Sequence, residues 1–241
     1  MAPPPGYAGY QGPDFRQGGL GRLGGLAKAI VILLVVVAIG QAIALATSSS
    51  VRDGARIYLD NGDDDAFNEK LVANGLGSLL GGLATVAVIV CSIIWLRRLV
   101  QNHQALGRLV TWTPGWAIAG WFLPPFLFVI PLLLLRESWK ASNPQEPAGS
   151  TTWKNGEEGP LPWVWFLTYS VAPLVLAILG SRQLFASFDR DLENIANNIV
   201  DNFGLTVLSG VVSILGTIAW GLLVWALTKR HTQLTGEATA R

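Results

Sequence analysis

The chain has 241 residues, enough for one domain, but its composition is not that of a soluble domain. Hydrophobic residues make up 51% and charged residues only 14%, whereas soluble domains carry about 25% charged residues. The net charge of +1 and the single cysteine, Cys91, argue against nucleic-acid binding and exclude an internal disulfide framework.

Residues 1–25 are rich in Pro, Gly and Gln and lack apolar periodicity. Such a segment cannot bury enough apolar surface to offset the entropy lost on ordering. We therefore expect a disordered cytoplasmic tail, with docking of its tyrosines and prolines on a partner as the alternative.

Five later stretches contain no Asp, Glu, Lys or Arg. Each exceeds the roughly 20 residues that a helix needs to cross about 30 Å of hydrocarbon. The sequence therefore predicts an all-α integral membrane protein. These stretches are 29–51, 71–96, 109–135, 159–181 and 202–228.

Four of the stretches pair into two transmembrane hairpins, 26–98 and 161–230, each with an acidic loop of about 22 residues predicted outside. Trp95 and Trp225 lie near the ends of the hairpins, each followed by two basic residues, and are 130 positions apart. The regular offset suggests a duplication. The alternative is that two unrelated hairpins obey the same membrane rules.

The middle stretch, 109–135, lies in a region (99–160) that we expect to be cytoplasmic. Pro124, Pro125 and Pro131 interrupt it, so we predict a re-entrant or interfacial helical segment instead of a fifth span. Four spans with both termini inside place 12 Lys and Arg inside and 5 outside, as the positive-inside rule requires. A kinked fifth span is the alternative, and 231–241 is predicted as a short cytoplasmic tail.

Small residues recur every four positions in the second and last spans. This spacing lets helix backbones approach closely in lipid, so we expect helix packing at Gly77, Gly81, Ser209, Ser213, Thr217 and Gly221.

The stretch from Trp95 to Ser142 contains a motif rich in Trp, Pro and Arg. It includes Arg97-Arg98, Asn102, Ala105-Leu106-Gly107, Thr113-Pro114-Gly115-Trp116-Ala117, Pro124-Pro125, Arg136-Glu137 and Trp139-Lys140-Ala141-Ser142. The motif resembles the uncharacterised actinobacterial membrane proteins grouped as domain of unknown function 4328. The resemblance implies a membrane protein and supplies no activity.

Catalytic patterns are not evident, and the only two histidines are His103 and His231. We therefore expect a protein that is not an enzyme and has neither a metal nor another cofactor. Basic and aromatic side chains flank the central segment and predict a cytoplasmic binding or docking surface. Its members are Arg97, Arg98, Trp116, Arg136, Glu137, Trp139 and Lys140.

These observations predict a non-enzymatic, multi-pass protein of the cell membrane with a scaffolding or regulatory role in a membrane complex. The alternative is a small transporter, or a lipid-binding or small-molecule-binding module that uses the central segment. The expected partners are anionic lipids at the cytoplasmic face and a second membrane protein or another copy of the chain, not nucleic acid.

Overall fold

A computed structural model describes residues 19–123, 129–180 and 191–237. These residues contain helices and turns and no strand. The helices are α1 (Gly24–Asn61), α2 (Asp64–Ala105), α3 (Trp116–Ala119), α4 (Val129–Ala141), α5 (Leu161–Phe166, a π-helical turn over Leu167–Val171, and Ala172–Leu179), α6 (Leu192–Asp201) and α7 (Phe203–Thr235).

Four of these helices, α1, α2, α5 and α7, are long and apolar enough to cross a membrane. They coincide with four of the five charge-free stretches, so the predicted all-α architecture with four candidate spans is confirmed. At 38 and 42 residues, α1 and α2 are about 57 and 63 Å long at 1.5 Å per residue. Both helices therefore continue well beyond the hydrocarbon layer.

The acidic segment between the first two spans differs from the predicted loop. Helix α1 continues to Asn61 and α2 begins at Asp64, so the connection is a tight turn at Gly62, whose φ is +76°. A carboxylate oxygen of Asp63 accepts the backbone N–H of Ala66 at 3.0 Å. Such a cap satisfies a free helical N–H, and Asp64 and Asp65 complement the helix dipole in the first turn. Most of the acidic segment is therefore helical and lengthens α1 and α2, instead of forming a loop between them.

The central segment does not form a single long helix in its described part. It contains the short helices α3 and α4, and Pro124 and Pro125 lie outside the described residues. The expectation that Pro131 breaks the chain is wrong. Pro131 lies within the described part of α4, and the helix continues from it to Ala141. Re-entry of this segment into the bilayer stays a prediction.

The two predicted tails, 1–25 and 231–241, lie only partly within the described residues. Residues 1–18 and 238–241 lie outside the described residues. Helix α1 already begins at Gly24, and α7 extends to Thr235 with His231 fully buried. Residues 231–237 therefore belong to the folded protein.

The described chain divides into two compact units. The first comprises 19–30, 90–123, 129–162 and 223–237, and the second comprises 31–89, 163–180 and 191–222. Helices α1, α2 and α7 contribute residues to both units.

Close helix packing in the second unit involves several of the small residues predicted for it. A Cβ added to Gly81 would lie 3.7 Å from the Cα of Gly40, so α1 and α2 touch backbone to backbone. The Gln41 amide donates to Ser213 Oγ at 2.9 Å and accepts from Thr217 Oγ1 at 3.0 Å. These interhelical contacts join α1 to α7.

The other three small residues predicted to pack between helices do not take part in the contacts described above. A Cβ at Gly221 would meet the Leu34 side chain at 3.5 Å, Ser209 is exposed, and Gly77 lies within α2.

The approach of α1 to α2 gives a direct test, because neighbouring glycines on α2 differ in surroundings. Gly81 faces Gly40, whereas a Cβ at Gly82 would meet nothing within 4 Å. We expect Gly81→Leu to force the two helices apart and lower the melting temperature in detergent by several degrees. Gly82→Leu serves as the matched control and should melt like the wild type. Equal melting of both variants would contradict the close approach.

Candidate functional site

A network of polar side chains lies in the interior of the first unit, and Asn102 on α2 is its centre. The Asn102 carboxamide accepts the N–H of Gly21 at 2.7 Å and donates to the carbonyl of Gly21 at 2.8 Å. Its nitrogen also lies 3.2 Å from Nε2 of His231 on α7. One buried side chain therefore joins the segment before α1 to α2 and α7.

Two histidines that are distant in sequence meet beside Asn102. The rings of His103 and His231 pack edge to face with their centroids 5.1 Å apart, and both are fully buried. Nδ1 of His231 lies 3.4 Å from the Ser142 hydroxyl, whereas neither ring nitrogen of His103 has a hydrogen-bond partner among the residues that the structure describes. Within the described residues, no group of three His, Cys, Asp or Glu could hold a metal ion.

Both histidines lie beyond the charge-free stretches, which end at Leu96 and Thr228, and beyond the basic pairs Arg97-Arg98 and Lys229-Arg230 that follow those stretches. Burial holds the pKa of His103 well below its ordinary value, and repulsion from a protonated His231 and from Arg108 lowers it further. Burial and the positive charge of Arg108 lower the pKa of His231 to about 3. Both rings are consequently neutral at pH 7.

Arg108 organises the turn that follows α2. Its guanidinium is buried and donates to the backbone carbonyls of Glu146 at 2.8 Å and Asn143 at 3.3 Å. The N–H of Gly149 donates to the Leu106 carbonyl at 2.9 Å. These bonds fold the segment after α4 back onto the end of α2 and make residues 106–123 and 129–160 a compact cap.

An ion-pair cluster lies on the cap surface. Arg136 and Lys140, one turn apart on α4, contact the same carboxylate oxygen of Glu158 at 2.5 and 3.0 Å. Hydrogen bonds from Arg136 and then Lys140 lower the pKa of Glu158 from 4.5 to about 2. Because the three side chains are partly exposed, solvent screens the cluster and its stabilising effect is small.

The predicted docking surface is distributed over several environments. Glu137 accepts the backbone N–H groups of Thr111 and Trp112, and the Trp139 ring lies under the Arg230 guanidinium at 4.8 Å. Arg97 and Arg98 are exposed, as is Trp116, which packs edge to face on Trp112. Arg136, Glu137, Trp139 and Lys140 thus make contacts within the protein, and Arg97, Arg98 and Trp116 are the exposed members.

A family model described as a domain of unknown function, DUF4328, matches residues 61–229, well over half of the chain. The chain belongs to the DUF4328 family. No curated protein and no solved structure matches it. The DUF4328 match extends from the turn before α2 into α7 and includes Asn102, His103, Arg108 and Ser142.

Sequence reasoning identified the DUF4328 motif but missed what its polar residues do. Trp95 donates from Nε1 to the Thr228 hydroxyl at 2.9 Å, and Asn102 and Ser142 both contact His231. The available signal was the occurrence of Asn102 and His103 on an otherwise apolar helix face, because buried polar groups require partners.

The neutral histidine pair predicts an acid-sensitive fold. Unfolded histidine has a pKa near 6.5, so below that pH the unfolded chain binds protons that the folded protein does not. The free energy of unfolding has its full value above about pH 6.5. It should fall on acidification below that pH, by up to about 1.4 kcal/mol per pH unit for each histidine. The measurement is the melting temperature in detergent between pH 7.5 and 5.

His103→Phe is the discriminating variant, because the phenyl ring keeps the edge-to-face contact and cannot titrate. We expect a weaker pH dependence and no loss of stability at pH 7.5, since His103 makes no hydrogen bond to any described residue. An unchanged acid response in this variant would exclude His103 as a source of the effect.

The Glu158 cluster is tested by comparing neighbouring glutamates. Glu158→Gln removes the charge that Arg136 and Lys140 share and should destabilise the protein by about 0.5–1 kcal/mol. Glu157→Gln changes an exposed neighbour and should have no effect. The difference should shrink in 1 M salt, which screens exposed ion pairs.

Proposed function

We propose that this DUF4328 protein is a non-enzymatic scaffold or regulatory component of a membrane complex, and that its cap is the docking element on the cytoplasmic side. The observation that carries the proposal is the internal use of polar groups in the cap and in the adjoining ends of α2 and α7. His231 contacts both Asn102 and Ser142, and Arg108 binds backbone carbonyls. Such an arrangement favours a rigid binding surface over turnover of a substrate.

The exposed part of the first unit supports attachment to an anionic membrane surface. Five exposed basic residues occur at the ends of α1, α2 and α7 and form what we call the basic girdle. Each charge near an anionic surface is worth about 1 kcal/mol. The girdle consists of Arg22, Lys28, Arg97, Arg98 and Lys229.

An apolar edge on the cap supports contact of the central segment with lipid. Leu109 and Phe122 are 70% and 63% exposed, and Trp116, Ile118, Leu123 and Val129 are also exposed. Tryptophan beside aliphatic side chains is typical of segments at the level of the lipid head groups. In this proposal the edge lies at the level of the lipid head groups, and Trp116 on that edge is where a partner protein in the membrane contacts the cap.

The orientation is testable by cysteine labelling. In a Cys91→Ala background, Asn155→Cys on the cap should react with a membrane-impermeant maleimide only after the cells are permeabilised. Asp63→Cys in the acidic turn should react in intact cells. Labelling of Asn155→Cys in intact cells would overturn the cytoplasmic assignment.

Docking is tested by placing a photo-cross-linking amino acid at Trp116 or, as a control on another part of the cap, at Glu157. We expect a discrete protein adduct from position 116 that is lost when Arg97 is changed to Glu. Adducts with lipid alone at both positions would contradict the scaffold role.

A further inference from the structure

A cleft of about 360 Å³ lies in the second unit between α1, α2, α6 and α7. Its volume is within the roughly 300–1,000 Å³ range of small-molecule sites. Five neutral polar side chains contribute to its lining, together with an aromatic ring, Phe203. The polar residues are Gln41, Ser48, Asn74, Thr206 and Ser213.

All five polar residues fall within charge-free stretches of membrane-spanning length. Polar groups at membrane depth are costly unless they face protein or a cavity, and they commonly mark binding sites or pathways. Their convergence on one cleft, from α1, α2 and α7, is therefore the feature to explain.

The hydrogen atoms of several of these groups are already used within the protein. The Ser48 hydroxyl donates to the Leu45 carbonyl at 2.7 Å, and Thr206 donates to the Asn202 carbonyl at 3.3 Å. The Asn74 amide nitrogen donates to the Thr47 hydroxyl at 2.7 Å. Oxygen lone pairs remain, so the cleft is suited to a ligand that donates hydrogen bonds.

The remaining lining selects for an uncharged, partly apolar molecule. Leu45, Val51 and Leu71 add aliphatic surface. The guanidinium of Arg52 lies 4.5 Å from the centre of the Phe203 ring, which places a positive charge at the edge of the cleft and disfavours a cationic head group. Lipid can supply such a molecule, because lining residues of α1 and α7 lie in the membrane-spanning stretches.

We propose that this cleft binds a neutral amphiphile of the bilayer that carries a free hydroxyl group, the chemistry of a diacylglycerol. The hydroxyl donates its one hydrogen to an oxygen of the lining, which we assign to Thr206, and the apolar body lies against Leu45 and Phe203. The cleft lies wholly in the second unit, so this site is independent of the docking role proposed for the cap.

The experiment uses the full chain in phosphatidylcholine nanodiscs with a diacylglycerol that carries a diazirine in one acyl chain. Mass spectrometry should map saturable labelling to peptides that contain residues 41–51 and 199–213. Unlabelled dioleoylglycerol should compete, and its 3-acetyl ester, which lacks the hydroxyl donor, should compete at least fivefold less well.

Matched threonine variants locate the hydrogen bond. Thr206 and Thr85 each donate to the carbonyl four residues earlier and are exposed, but only Thr206 lines the cleft. Thr206→Val should weaken competition by dioleoylglycerol about fivefold, and Thr85→Val should not change it. Ala44→Trp, which fills the cleft, should abolish saturable labelling.

Ordinary contact with surrounding lipid gives a different result. Labelling would then be unsaturable, equal in the Thr206→Val, Thr85→Val and Ala44→Trp proteins, and insensitive to the acetyl ester. That outcome would overturn the proposal without affecting the cap, whose docking is measured separately at Trp116.

Discussion

The Asn102 carboxamide makes the contacts on which the first unit depends. It pairs with both backbone groups of Gly21 and with His231, so it fixes three parts of the chain in one place. Removing it would leave buried donors and acceptors unsatisfied, at a cost of about 1–3 kcal/mol for each group. In this unit, polar contacts specify the arrangement that apolar packing alone would leave loosely defined.

The four spans were predictable from sequence because absence of charge over more than about 20 residues is a strong and local signal. The acidic segment was wrongly predicted as a loop. Its acidic composition indicates exposure to water, but it does not distinguish an exposed helix from an exposed loop. Its helical character depends on details such as the Asp63 cap and the Gly62 turn. Pro131 was misread for a related reason, since the effect of proline depends on its position within the helix.

The cap and the cleft were harder to foresee, because both depend on long-range contacts. Asn102 and His231 are 129 positions apart, and Gln41 and Ser213 are 172 apart. The candidate docking residues were selected by charge and aromatic character, yet Glu137 and Trp139 serve internal contacts. Sequence alone cannot separate a surface arginine from one that binds its own chain, because both carry the same charge.

The carboxylate of Glu237 accepts the backbone N–H groups of Leu23 and Gly24 at the start of α1. These partners are separated by 214 positions, so the first turn of α1 gains its negatively charged cap only after nearly all of the described chain has been synthesised. During insertion this helix end must be satisfied by water or by lipid head groups. The contact that closes this end of α1 therefore cannot form before residue 237 has been synthesised.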